Sequence, residues 1–161
     1  MLILIPLLAY SVGFFMLTRQ VMILTGQLKG PVLSCFEVYG ERERAYHPIP
    51  QLLGWSGFLL LVSGELIGSI LRFDNIAVIL GLVSVGSAFL LYHYRESLAT
   101  YDHLLPTLPT WYRELCRETT RHERRRIAYL WLRLPLRTRM IYNISDRLFF
   151  RWAELVILST L

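Results

Sequence analysis

The sequence predicts an all-α integral membrane protein with three transmembrane helices and an Arg-rich helical tail. Of its 161 residues, 54% are hydrophobic and only 18% are charged, whereas soluble domains contain about 25% charged residues. Three apolar runs lie at about residues 2–24, 52–71 and 76–93, and a helix of roughly 17–25 apolar residues can cross a bilayer. The formal net charge of +5 comes entirely from residues 95–161. This composition excludes a disordered chain, a collagen and a disulfide scaffold.

The first predicted span, about residues 2–24, contains one basic residue, Arg19, whose long side chain can reach the lipid headgroups. The run has neither a basic segment before it nor an A-x-A cleavage site after it. A retained helix is therefore favoured over a cleaved signal peptide. Residues 25–51 follow, and their spaced glycines and prolines predict an ordered inner loop.

The second and third spans, about 52–71 and 76–93, are separated by so short a link that they must form a tight antiparallel hairpin. Each span has a stripe of small residues on one face, and such stripes let two helix backbones approach closely. Either the two stripes face each other, or one of them faces a separate subunit. They consist of Gly57, Gly64 and Gly68 on the second span, and of Ala77, Gly81, Ser84 and Ala88 on the third.

Glu65 is the one acidic residue well inside a predicted span. A charged carboxylate at that depth costs a few kcal/mol or more, so we expect it to be protonated, hydrogen-bonded or paired. Its partner would be Ser84, a backbone carbonyl or another subunit. A proton or ion relay, or contact with a ligand or cofactor, is the alternative role for this residue.

The distribution of basic residues predicts the topology. With three spans, every Lys and Arg except Arg72 lies on one side of the membrane. The positive-inside rule then places the N-terminus outside and both the inner loop and the tail in the cytoplasm. We therefore expect a multi-pass membrane domain over residues 1–94 and a cytoplasmic-side helical tail over residues 95–161.

The tail is predicted to contain one long helix from Trp111 to about Leu134 and another that begins at Ser145 and Asp146. Three roles are open: docking on partner subunits, lying on anionic lipids, or binding nucleic acid. Seven acidic residues accompany the twelve basic ones, and they weaken both roles that depend on binding phosphate. Nucleic-acid binding is the least favoured of the three roles. The candidate docking residues are Arg113, Arg117, Arg121, Arg124, Arg125 and Arg126.

The sequence contains no motif for a metal, a haem, a nucleotide or a catalytic nucleophile, so it indicates no catalytic residue and no cofactor. His93 lies near the inner end of the third span and, on a continuing helix, shares a face with Glu96. We interpret both as polar interface residues. Ligation of a metal, pigment or haem by His93 is the alternative.

Glycine stripes, one intramembrane acid and an Arg-rich tail are most easily explained by partners. The sequence therefore predicts a non-catalytic accessory or structural subunit of a larger multisubunit membrane complex. Its partners would be other membrane-protein subunits and, at the inner surface, anionic lipids. Two rivals stay open: a membrane-bound enzyme acting on lipids, and a protomer of an oligomeric channel or transporter that uses Glu65.

Overall fold

The computed structural model describes residues 4–40, 48–68, 74–94 and 108–159. Within these ranges every regular element is a helix, which confirms the predicted all-α class. The chain divides into two compact units: unit 1 is Met1–Val21 with His47–Thr107, and unit 2 is Met22–Tyr46 with Leu108–Leu161. The predicted division after residue 94 follows expected membrane location, whereas this division follows contacts. It groups most of the inner loop with the tail.

Unit 1 is built from α1 (Leu4–Leu24, whose last three residues belong to unit 2), α3 (Pro48–Gly68) and α4 (Asp74–His93). Among the residues that the structure describes, two segments are long and apolar enough to cross a membrane, Leu4–Leu24 and Ile76–His93. Only 17% and 11% of them are buried within the protein. The apolar side chains on these helices therefore need an apolar surrounding, as a bilayer provides.

The helices α3 and α4 run antiparallel and touch through small residues. A Cβ atom added at Gly57 would lie 2.8 Å from the carbonyl oxygen of Gly81 and 2.9 Å from Ser84 Cβ. Nearer the start of α3, the Ser84 hydroxyl donates to the carbonyl of Leu53 over 2.8 Å. These contacts bring the two backbones close enough for extensive van der Waals contact.

Several serine and threonine hydroxyls of α1 and α3 bond to carbonyls of their own helices. Ser11 donates to the carbonyl of Leu7 over 2.9 Å, and Thr18 donates to that of Phe14 over 2.8 Å. Ser63 donates to the carbonyl of Leu60. Local bonding of this kind is what an exposed hydroxyl group needs wherever a helix is surrounded by lipid, which offers no hydrogen-bond partner.

Unit 2 combines part of the inner loop with the tail. The short helix α2 (Gly30–Leu33) runs directly into a π-helical turn (Ser34–Val38). Four helices follow in residues 108–159, the described part of the tail: α5 (Thr110–Glu118), α6 (Arg121–Arg133), α7 (Leu136–Ile144) and α8 (Asp146–Leu158). Both parts supply the core, whose largest fully buried apolar side chains are those of Trp111, Trp131, Tyr112, Phe149, Leu33, Leu115, Ile127 and Val32.

The prediction of one continuous helix from Trp111 to about Leu134 is wrong. The chain is extended at Thr119 (φ −130°, ψ 149°), and α6 starts afresh with a capping box. The Thr120 N–H donates to Glu123 Oε2 over 2.6 Å, and the Glu123 N–H donates back to Thr120 Oγ1. The predicted later helix is confirmed, because the Ser145 hydroxyl caps α8 by accepting from the Leu148 N–H.

The capping box also lowers the pKa of Glu123. Hydrogen bonds from the Thr120 hydroxyl and backbone, with a smaller contribution from His122, hold the pKa of Glu123 below its ordinary value. A carboxyl group with a lowered pKa in the folded state stabilises that state above its ordinary pKa. The contribution of this cap is therefore lost as the pH falls through the lowered pKa.

We predict that Gly57→Ala lowers the free energy of unfolding in detergent by about 1–3 kcal/mol, because the new methyl group would meet backbone that cannot move aside. Gly86→Ala is the matched control on α4, since a Cβ there has no heavy atom within 4 Å. The measurement is an unfolding titration of both variants. Equal stabilities would show that the close approach of α3 and α4 contributes nothing.

Candidate functional site

Lys29, the only lysine of the chain, is completely buried in unit 2. It follows a turn in which Gly26 has a φ of +80°, a conformation that favours glycine. Its ammonium group lies 2.7 Å from Asp146 Oδ1 and donates to the carbonyls of Asn143 (3.1 Å) and Gly26 (3.4 Å). These partners replace the water that a buried ammonium group loses.

The surroundings of Lys29 add two further contributions. Its ammonium group lies 5.7 Å from the ring centroid of Trp111 and 5.5 Å from that of Phe149, at cation–π distance. Its backbone N–H donates to Asn143 Oδ1 over 3.0 Å, so Asn143 binds both ends of the residue. Lys29 thus fastens the loop after α1 to the junction of α7 and α8.

A second buried polar cluster forms around Glu37, on the π-helical turn. The side chain is 2% exposed, and its Oε1 accepts from the Tyr112 hydroxyl (3.0 Å) and from Arg124 Nε (2.7 Å). Arg125 Nε donates to the backbone carbonyl of Glu37 over 3.3 Å. The turn, α5 and α6 are therefore joined through one carboxylate.

The surroundings of Arg124 favour its ion pair with Glu37. Burial alone would lower the pKa of Arg124, but its hydrogen bond to Glu37 and its proximity to Cys116 and Tyr112 raise that pKa above the ordinary value. Within the part of the chain that the structure describes, Glu37 Oε2 accepts no hydrogen bond. π-Helical turns recur at functional sites, yet the carboxylate is enclosed and held by its own neighbours. No group of three or more His, Cys, Asp or Glu residues among the described positions could hold a metal ion.

The predicted docking arginines separate into three groups. Arg124 is bound within unit 2 by Glu37 and the carbonyl of Thr119. Arg126 is partly exposed and lines a groove of about 340 Å³ together with Thr120, His122, Glu123, Val156 and Ile157. Exposed at the surface are Arg113, Arg117, Arg121 and Arg125.

Helix α7 exposes its apolar side chains. Leu136, Met140, Ile141 and Ile144 are 69%, 58%, 54% and 85% exposed. The opposite side of the helix faces the core of unit 2, where the Tyr142 ring lies 5.8 Å from that of Trp152 and 6.3 Å from that of Trp131. No residue of α7 is fully buried. The helix therefore lies at the surface of unit 2 with its apolar side outward.

The structure places the predicted intramembrane residues as follows. Gly57, Gly81 and Ser84 lie at the contact between α3 and α4. Gly54, which the sequence analysis missed, faces Ala88 with a Cβ distance of 3.8 Å, and its spacing of three from Gly57 was a usable signal. On the same two helices, Gly64 is buried and Ala77 is half-buried. The backbones of Glu65 and Gly68 belong to α3, and the surroundings of both lie outside the described residues.

His93 ends α4 and is exposed. Its ring stacks on Phe89 at 6.4 Å and meets Tyr94 edge to face at 5.2 Å. Glu96 lies outside the described residues, so the predicted pairing of the two side chains stays a prediction.

No protein-family model, curated protein or solved structure matches this chain.

We predict that Lys29→Met lowers the free energy of unfolding of the detergent-solubilised chain by about 2–3 kcal/mol. The substitution removes a charged hydrogen-bond donor from two carbonyls and from Asp146. Asp146 is 56% exposed, so water can solvate its carboxylate afterwards and limits the loss. Denaturation followed by Trp fluorescence measures the effect, because Trp111 and Trp131 lie in the core of unit 2.

Arg117→Met is the control for this measurement, since Arg117 is exposed on α5 and its loss should change stability by less than about 0.5 kcal/mol. If the two variants unfold alike, Lys29 does not hold the loop to the tail.

Proposed function

We propose that the chain is a non-catalytic accessory subunit of a larger membrane complex. In this proposal α1, α3 and α4 are three transmembrane spans, the N-terminus is outside, and unit 2 is an interaction module on the cytoplasmic side. The 21 residues of α3 support its assignment as the second span, because a helix of that length extends roughly 30 Å. Its close antiparallel contact with α4 suits two neighbouring spans.

The observation that carries the proposal is the separation of charged residues in unit 2 into buried ones that bind the protein itself and arginines that stay exposed. Lys29 and Glu37 are buried and bound to groups of the protein itself, so they serve the fold. An enzyme acting on lipids needs polar groups that converge on an accessible substrate. Here the carboxylate of Glu37 and the hydroxyl of Tyr112 converge on each other in the interior.

The arginines that stay at the surface suit partner binding. Arg113 and Arg117 are four residues apart on α5, and Arg121 and Arg125 are four apart on α6, so each pair lies on one helix face. Guanidinium groups form bidentate contacts with carboxylates, and arginine is enriched at protein interfaces. We propose that an acidic surface of a partner subunit binds there.

The topology is tested by reporters at three positions: after Gly40, within residues 72–75, and after Leu161. With three spans and basic segments inside, we expect cytoplasmic, external and cytoplasmic signals in that order. Equal signals after Gly40 and within residues 72–75 would show that α3 does not cross the membrane. The inverse of the expected order would overturn the orientation.

The subunit role is tested by purifying the tagged full chain in a gentle detergent. We expect stoichiometric co-migrating chains whose yield falls at least about tenfold in the double variant Arg113→Glu with Arg117→Glu, because reversed charges repel an acidic partner. Arg151→Glu changes an exposed arginine on α8 and should retain them. Purification of the wild-type chain alone, or equal retention by both variants, would contradict the proposal.

A further inference from the structure

Helix α7 is too short to be a fourth span, so its apolar side must meet something at a surface. Pro135 precedes it and Ser145 follows it, which limits it to nine residues. Such a helix extends about 14 Å, less than half the thickness of the hydrocarbon core of a bilayer. Its inner side is fixed by Tyr142, whose ring packs against Trp131 and Trp152, so the helix cannot turn its apolar side inward without losing those contacts.

The exposed side chains of α7 form one continuous stripe. At 100° per residue, Leu136, Met140 and Ile144 fall within about 80° of one another, and Arg137 and Ile141 lie next to them. Four of these five side chains are large, apolar and more than half exposed. A stripe of this kind, interrupted by one long cationic side chain, is typical of helices that lie in the plane of a membrane interface.

The charge around α7 is uniformly basic. Residues 124–145 contain no acidic residue and six arginines, of which Arg124 is paired with Glu37. The acids at the two ends of this run are both engaged, since Glu123 accepts from Thr120 and Asp146 pairs with Lys29. At the surface near α7, Arg133, Arg137 and Arg147 are exposed. An apolar protein partner would satisfy the stripe and leave these guanidinium groups unmatched, whereas phosphate-bearing lipids satisfy both.

We propose that α7 binds the surface of an anionic phospholipid bilayer. Leu136, Met140, Ile141 and Ile144 insert at the boundary between headgroups and acyl chains, and Arg137 extends its stem to contact lipid phosphates. This surface does not include the arginines of α5 and α6 that we propose for partner binding, and it requires only that the chain is attached to a membrane. That attachment makes the contact intramolecular, so a modest intrinsic affinity is sufficient.

The test uses the full chain in nanodiscs, with a photo-reactive benzoylphenylalanine at Ile144 and, as the control position, at Glu118, which is exposed on α5. One set of nanodiscs contains phosphatidylcholine only, and the other contains about 30% phosphatidylglycerol. Mass spectrometry identifies the adducts. We expect lipid adducts at Ile144 that increase at least about fivefold with the anionic lipid, and few adducts at Glu118 in either set.

A second variant, Arg137→Gln, should reduce the lipid adduct at Ile144 about fivefold in the anionic nanodiscs, which corresponds to the attraction of one arginine near such a surface. Trp fluorescence verifies that unit 2 stays folded. The proposal is overturned by equal yields at both positions, by yields that do not depend on anionic lipid, or by a protein adduct that replaces the lipid adduct in native membranes. Because the nanodiscs contain this chain alone, these results are independent of whether a partner subunit exists.

Discussion

The burial of Lys29 is the constraint on which the fold of unit 2 depends. An ammonium group taken out of water costs several kcal/mol unless oppositely charged and polar groups surround it. Here the junction of α7 and α8 supplies the Asn143 carbonyl and the Asp146 carboxylate, while Trp111 and Phe149 present ring faces. Since these partners come from the tail and Lys29 comes from the loop, the two parts must fold together.

Unit 1 is held together by a different kind of interaction. Among its described residues, Ser11, Thr18 and Ser63 bond to carbonyls of their own helices, and Ser84 donates across to α3. What remains for helix association is close packing at Gly57 and Gly81, where nearly any added side chain would collide with the neighbouring helix. Close packing of this kind associates helices even where the hydrophobic effect does not act between them, as in lipid.

The sequence was informative where structure is local and poor where it depends on distant residues. Apolar runs predicted α1, α3 and α4, and Ser145 marked the start of α8, because these signals lie within each segment. The start of α6 was also encoded, as Thr120 and Glu123 stand at the spacing of a capping box. Apolar residues on both sides suggested a continuous helix and concealed that signal.

The burial of Lys29 and Glu37 had no comparable signal. Both lie in a segment whose glycines and prolines predicted an ordered loop, and a lone charged residue in a loop is usually solvated. Their partners are 117 and 87 positions away in the chain for Asp146 and Arg124. Contacts of that range depend on how the helices pack, so periodicity and composition could not place them.

These internal pairings change how the charge of the tail should be read. A count of acidic residues weakened lipid binding, because it treated every carboxylate as available to balance a neighbouring arginine. In the fold, Asp146 neutralises a buried lysine and Glu123 caps α6, so neither is free to compensate the arginines around α7. The electrostatic character of a surface follows from the charges that folding leaves over, and around α7 those charges are positive and adjoin exposed apolar side chains.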